Sequence, residues 1–317
     1  MKPDTFLSMR GRILIAAALA AAVLGAGAWA LLAPGASASP LAKAPGCPVF
    51  PKTNVWNRRV DSLPVDPRSN AYLSNIPAGI GVHPDFGSFQ GYGIPINVVG
   101  GSQKRKRVRF DYGDQSDHVG YPIPKQPKIE RGSDRHMLIV DRAHCRLYEL
   151  FAARKTSRGW RAGSGATWDM RSNHLRPAGW TSADAAGLPI LPGLVRWNEV
   201  KKGVIDHALR FTVPVTCRGF IYPARHQAGS QSDCDQYPPM GLRLRLRGDY
   251  PVQNLPRQAR VIAIAMQRYG IIVADNGTEW FVQGASNAHF NDDGLHRLNE
   301  ITKSDFVVVD TSTLRNG

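Results

Sequence analysis

Apolar and polar positions alternate along this chain mostly with period two. Residues 242–247 (LRLRLR) are the clearest case, predicting a strand with Leu242, Leu244 and Leu246 toward a core. Arg243, Arg245 and Arg247 then share the opposite face, as a solvated row or as the wall of a groove for an anionic ligand. Residues 208–213 and 218–222 also read as strands. Residues 137–141 and 145–151, separated by the polar turn 142–144, predict a β-hairpin. That hairpin puts Leu147, Glu149 and Phe151 on one side, so Glu149 is set among apolar residues or that side is exposed. Residues 160–169 form a glycine-containing strand. Residues 271–274 form a buried one, which turns at Asp275-Asn276-Gly277 and returns through residues 280–283 as a hairpin partner.

Helical spacing is rarer. A short helix is predicted near residues 69–76. A longer one starts at Asn254 with Pro256 in its first turn, carries Val261, Ile262, Ala265, Met266 and Tyr269 on one side, and stops at Gly270. A last short helix runs to Leu298 with Asp292 as its cap. The 31 Gly and 23 Pro residues punctuate the strands, most heavily across residues 39–133, the irregular N-terminal part. The pattern predicts a mainly β single domain, two sheets packed as a sandwich or jelly roll, with one C-terminal helix against the sheet.

Residues 164–193 follow neither period throughout, and their middle must be a long, structured loop. It carries Trp168, Asp169, Arg171, Asn173, His174, Arg176, Trp180 and Asp184. Long loops within compact domains often hold function.

The N-terminus changes the picture of where the chain works. Lys2, Arg10 and Arg12 stand against the single acid Asp4, residues 13–33 are apolar, and Ala36-Ser37-Ala38 is a small-residue cleavage pattern. This is the plan of a signal peptide over residues 1–38, with residues 39–317 exported. The competing reading is an uncleaved membrane anchor, which Gly25 and Gly27 weaken. Both place the remainder outside the cytoplasm. Four cysteines suit that compartment: Cys217 and Cys234 flank a short excursion and are expected to pair, leaving Cys47 to tie the N-terminal arm to Cys145. No cysteine spacing suggests a metal centre, and His118, His136, His207 and His226 have no ligand spacing. No cofactor motif is present.

The formal net charge is +15. Losing residues 1–38 removes three basic residues and one acid, leaving about +13. The bases are dispersed, apart from residues 104–109 (KRKRVR). An exported chain of this kind points to a polysaccharide or envelope polymer, possibly an anionic one, rather than to nucleic acid.

Folding the loop back would bring Asp169 and Asp184 together with Trp168 and Trp180. Paired carboxylates are what glycosidic bond cleavage needs, and indole faces stack on sugar rings. Arg171 and Asn173 extend that surface. The purely structural alternative has Asp184 capping a short helix over residues 182–186, Asp169 bonding loop amides and Trp168 in the core. Arg225 and His226, at the end of a predicted strand, form a second candidate: His226 as acid or base, Arg225 gripping a carboxylate. The pair Asp117-His118 and the turn Asp275-Asn276 are further candidates, the last serving its turn first. The leading expectation is therefore a glycoside hydrolase or polysaccharide lyase, with catalytic Asp169, Asp184 and His226. The competing expectation is a non-catalytic glycan- or envelope-binding protein.

The blocks 92–98 (YGIPINV), 134–141 (DRHMLIVD), 164–195, 222–226 (YPARH), 238–241 (PPMG) and 274–277 (ADNG) resemble a group of secreted bacterial and fungal proteins. The resemblance covers most of the exported part. It implies kinship and carries over no activity, substrate or catalytic residue.

Overall fold

The computed structural model describes residues 38–316 except 80 and 90, so the predicted export segment, up to residue 37, lies outside the described residues. In chain order the elements are α1 (Ser69–Ser74), β1 (Val82–Asp85), β2 (Ile96–Val99), β3 (Val108–Phe110), β4 (Met137–Asp141), β5 (Arg146–Phe151), β6 (Arg154–Thr156), β7 (Gly159–Ala162) and β8 (Ser164–Asp169). There follow α2 (Trp197–Lys202), β9 (Leu209–Val213), β10 (Arg243–Leu246), α3 (Arg257–Arg268), β11 (Ile271–Asn276), β12 (Trp280–Gln283), α4 (Asp292–His296) and β13 (Phe306–Val308). The fold is mainly β. Three sheets share the strands, in the orders β1-β12-β9-β11-β10-β13, β2-β4-β5-β8 and β3-β7-β6.

The hairpin of β4 and β5 forms with Ile139 opposite Tyr148, and β8 joins it on the far side of β5. The strand expected over 160–169 is two strands in different sheets, broken at Gly163. A side chain there would collide with the Phe151 ring, 2.6 Å from an ideal Cβ, so only glycine lets the chain cross between sheets. Two other expectations need correction. Strands β11 and β12 are not a hairpin, because β9 lies between them, parallel to β11 and antiparallel to β12. Residues 218–222 contribute only an isolated bridge between Phe220 and Met240.

In the six-stranded sheet the period-two pattern separates two environments. Leu209, Phe211, Val213, Trp280, Val282 and the three leucines 242, 244 and 246 enter one apolar core, which also takes Ala259, Ile262 and Met266 of α3. Arg210, Thr212, Phe281 and Gln283 alternate with them and line a cavity instead. The arginine row on β10 is neither solvated nor a groove wall. Arg243 donates to the carbonyls of Tyr269, Val55 and Arg58, and Arg245 to those of Val60, Asp61 and Leu63. It fastens the N-terminal arm to the sheet; Arg247 alone is outside, paired with Asp249. At α4 the capping side chain is Asn291, which accepts from the Gly294 amide; Asp292 is turned to Ser88.

Both expected disulfides are present, Cys47 with Cys145 and Cys217 with Cys234. Two disulfides fit an oxidising, extracytoplasmic environment. No helix among the described residues is long and apolar enough to cross a membrane.

Candidate functional site

The loop does not bring its two acids together. Asp169, exposed at the end of β8, accepts from the Arg171 amide at 2.9 Å and closes its own turn. It lines a cavity of about 290 Å³ with Asp117, Arg146, Trp168, His174 and Arg176. Asp184 is buried and lines a different one. Its carboxylate holds Arg210 bidentately, Nε to Oδ2 at 3.1 Å and Nη2 to Oδ1 at 3.0 Å.

The other loop candidates are engaged in holding the loop. Trp168 is buried in an apolar cluster. Trp180 is half-buried, and the Arg176 guanidinium lies over both indoles, 5.9 Å from Trp168 and 5.5 Å from Trp180. Arg171 donates to the His144 carbonyl at 3.2 Å. Asn173 donates to Thr53 at 2.8 Å and accepts from Asn54 at 3.1 Å. Arg225 donates through Nε to the Arg176 carbonyl at 2.7 Å. His226 donates through Nδ1 to the Ala185 carbonyl, 2.8 Å away, so that nitrogen carries the proton. Only His226 and Asp184, among the expected catalytic residues, line one cavity.

That cavity, about 410 Å³, belongs to a longer cleft. It shares Asp134, Asp275 and Asn276 with a neighbour of about 260 Å³ at the polar face of the six-stranded sheet. This neighbour in turn shares Asp85, Glu130 and Asp134 with a third of about 440 Å³. The middle cavity has one wall from β1, β9, β11 and β12 and another from residues 130–136, ahead of β4. Phe89 at 63% and Tyr112 at 55% exposure are the most exposed large hydrophobic side chains among the described residues. They line opposite ends of the cleft, Phe89 the third cavity and Tyr112 the first.

A single irregularity aims Asp275 into this cleft. The pairing of β11 with β9 slips between Val273 and Asp275, so Asp275 stands opposite Thr212. Without the slip Ala274 would take that place and Asp275 would fall on the core-facing side, because one residue of register exchanges the faces of a strand. The Ala274 carbonyl left by the bulge accepts from the Ala186 amide at 2.9 Å, tying the far limb of the loop to the sheet.

The electrostatics divide the carboxyls. Burial, reinforced by the Asp184 charge, pushes Asp275 up to about 6 against the pull of Arg210. Burial also pushes Asp85 up, with the Glu130 charge adding to it. Glu130 is half-buried, yet its bonds to His136 outweigh the cost of that burial and hold it below the usual range. His136 meets Glu130 Oε2 through Nδ1 at 2.6 Å and the Ala183 carbonyl through Nε2 at 3.0 Å. With an acceptor at each nitrogen the ring is an imidazolium; burial opposes this, and the Glu130 bond prevails and raises its pKa.

The sequence reading missed Asp85, Glu130 and Gln283 and assigned Asp275 to its turn. Pairing of β1 with β12 sets Asp85 beside Gln283 across some 200 residues, which no local pattern announces. Among the described residues no group of three or more His, Cys, Asp or Glu is placed to hold a metal ion. No family model, no curated protein and no solved structure matches this chain.

Proposed function

We propose that this protein is an exported polysaccharide hydrolase working in the cleft between residues 130–136 and the six-stranded sheet, part of a layered, sandwich-like β scaffold. The observation that carries the reading is a pair of carboxyls in one cavity with opposite tendencies, Asp275 raised to about 6 and Glu130 lowered. Environments that drive two carboxyls apart assign an acid and a base. Asp275 donates its proton to the glycosidic oxygen as the bond to the anomeric carbon breaks. Glu130, whose two bonds to His136 both fall on Oε2, takes the proton of the attacking water through its other oxygen. Asp184 acts as a positioning residue: it fixes Arg210, whose charge limits the rise of Asp275. His226 lines the Tyr112 end. The aromatic side chains at the two ends supply stacking surfaces for a chain of sugars, longer than a single ring.

Lyase chemistry on uronic acids is less well supported, because Arg225 is engaged by the loop and the cleft is lined by acids. A purely binding role draws support from the same exposed Phe89 and Tyr112. Incubating the full-length chain with a panel of neutral, cationic and anionic polysaccharides, and reading both binding and new reducing ends, separates the two. Hydrolysis is expected, with a rate that falls as pH rises past about 6 and Asp275 loses its proton. Asp275→Asn is expected to lower that rate by about 100-fold or more. Tight binding with no product from any bound glycan would leave the binding reading and remove the enzyme.

A further inference from the structure

Four carboxyl side chains line the middle cavity, Asp85, Glu130, Asp134 and Asp275. Gln283 is 6% exposed, lines the cavity, and its Oε1 is buried without a hydrogen-bond partner among the described residues. A buried carbonyl left alone costs about 1–3 kcal/mol, so a native site that keeps one calls for a donor from elsewhere. Asp85 neighbours Gln283 across the parallel pair of β1 and β12. Asp85, Asp134 and Asp275 form no ion pair among the described residues, while the basic side chains that line the middle cavity are committed: Arg210 to Asp184 and His136 to Glu130. The cavity therefore concentrates negative charge in a chain whose formal net charge is +15.

A ligand that complements this set carries hydrogen-bond donors and positive charge together. A uronic acid polymer, suggested by the overall charge, would meet like charge here. Neutral sugars supply hydroxyl donors but leave the carboxylates unbalanced. We infer that the middle cavity is a subsite for a protonated amine carried on a sugar, and that the substrate is a polymer of free amino sugars, the ammonium lying between Gln283 Oε1 and the carboxylate of Asp85, with Asp275 left as the proton donor. This rests on the hydrolase reading for its catalytic half, and on the acceptor set for its specificity.

Calorimetric titration tests it with the full-length chain and four oligosaccharides of equal length: glucosamine units with free amines, the same fully N-acetylated, neutral glucose units, and uronic acid units. The free-amine oligomer is expected to bind at least about tenfold tighter than the other three. Gln283→Met, which keeps the shape and removes the acceptor, is expected to weaken that binding about tenfold while leaving thermal stability equal or higher. A glutamine kept only for packing or internal bonding would lower stability on substitution and leave the preference intact, which overturns the assignment. Equal or tighter binding of the N-acetylated, neutral or uronic oligomer overturns it as well, as does a lysine oligomer binding as tightly as the sugar. Reducing ends, read in parallel, separate the two readings. Amine-selective binding without cleavage keeps this subsite and removes the hydrolase; cleavage of neutral glycans without amine preference does the reverse.

Discussion

Two regions of this molecule are rich in the residue types that carry chemistry, and they treat them differently. In the loop after β8 nearly every polar group has found a partner within the chain. Arg176 is the centre of it, donating to Thr181 O at 2.9 Å, Asp117 Oδ2 at 2.9 Å and Gln115 O at 2.7 Å while lying over two indoles. Asp117 takes two further bonds from Thr167. In the cleft some groups are left open: among the described residues Gln283 Oε1 has no hydrogen-bond partner, and Asp85 and Asp275 form no ion pair. Satisfied networks build a scaffold, whereas polar groups left open inside a cavity wait for a ligand.

The sharpest way to break this comparison is to remove Arg176. Its side chain is 4% exposed, and Arg176→Ala strands Asp117 beside the loop. The expected loss is about 3–4 kcal/mol of unfolding free energy, in the lower part of what breaking a buried pair costs, with turnover per folded molecule changed less than threefold. Chemical denaturation alongside a rate assay checks it. Were turnover to collapse in folded protein, the loop and not only the cleft would belong to the site.

Buried carboxyls sharpen it further, because the scaffold side owns one too. Glu149 lies at the centre of β5, and burial pushes it up to about 7 although the amides of Ile190 and Leu191 donate to it at 2.9–3.1 Å. The amides close it in, and no cavity described above reaches it. Its proton is bound more tightly in the folded state than in the unfolded chain, where a glutamate titrates near 4.5. The stabilisation is thus complete below about 4.5 and is lost as pH rises through about 7, in all about 3 kcal/mol. In Glu149→Gln that fall between pH 4.5 and 7 should flatten, with the pH dependence of activity, set by Asp275, left in place. A moved activity profile would show that the two carboxyls are coupled.

Much of the scaffold was legible in the sequence. The β4–β5 hairpin, the leucine face of β10, the long helix α3 and both disulfides follow from periodicity, turn residues and cysteine placement. What escaped is non-local. β9 enters between β11 and β12 from some 60 residues upstream, so the turn at 275–277 joins strands that are not neighbours. The bulge at Ala274 that redirects Asp275 has no sequence signal. The acids of the middle cavity come from residues 85, 130, 134 and 275, each unremarkable in its own segment, while the loop drew notice because its chemistry-bearing residues lie close together in sequence. Dense local chemistry therefore identified a part of the chain whose polar groups are already bonded, by partners as distant as Thr53, Asn54 and Asp117.

The smallest expected effect is also the most direct check on that last point. Asp169 and Arg171 are exposed, and their bonds are a turn closed on its own backbone and one contact with the His144 carbonyl. Asn at position 169 can accept the same amide bond, and loss of the Arg171 side chain uncovers water rather than core. Asp169→Asn and Arg171→Ala should each change unfolding free energy by no more than about 0.5 kcal/mol and turnover by less than about twofold. A hundredfold loss in Asp169→Asn, in protein that still unfolds at the unmodified temperature, would move the acid–base chemistry from the cleft back to the loop.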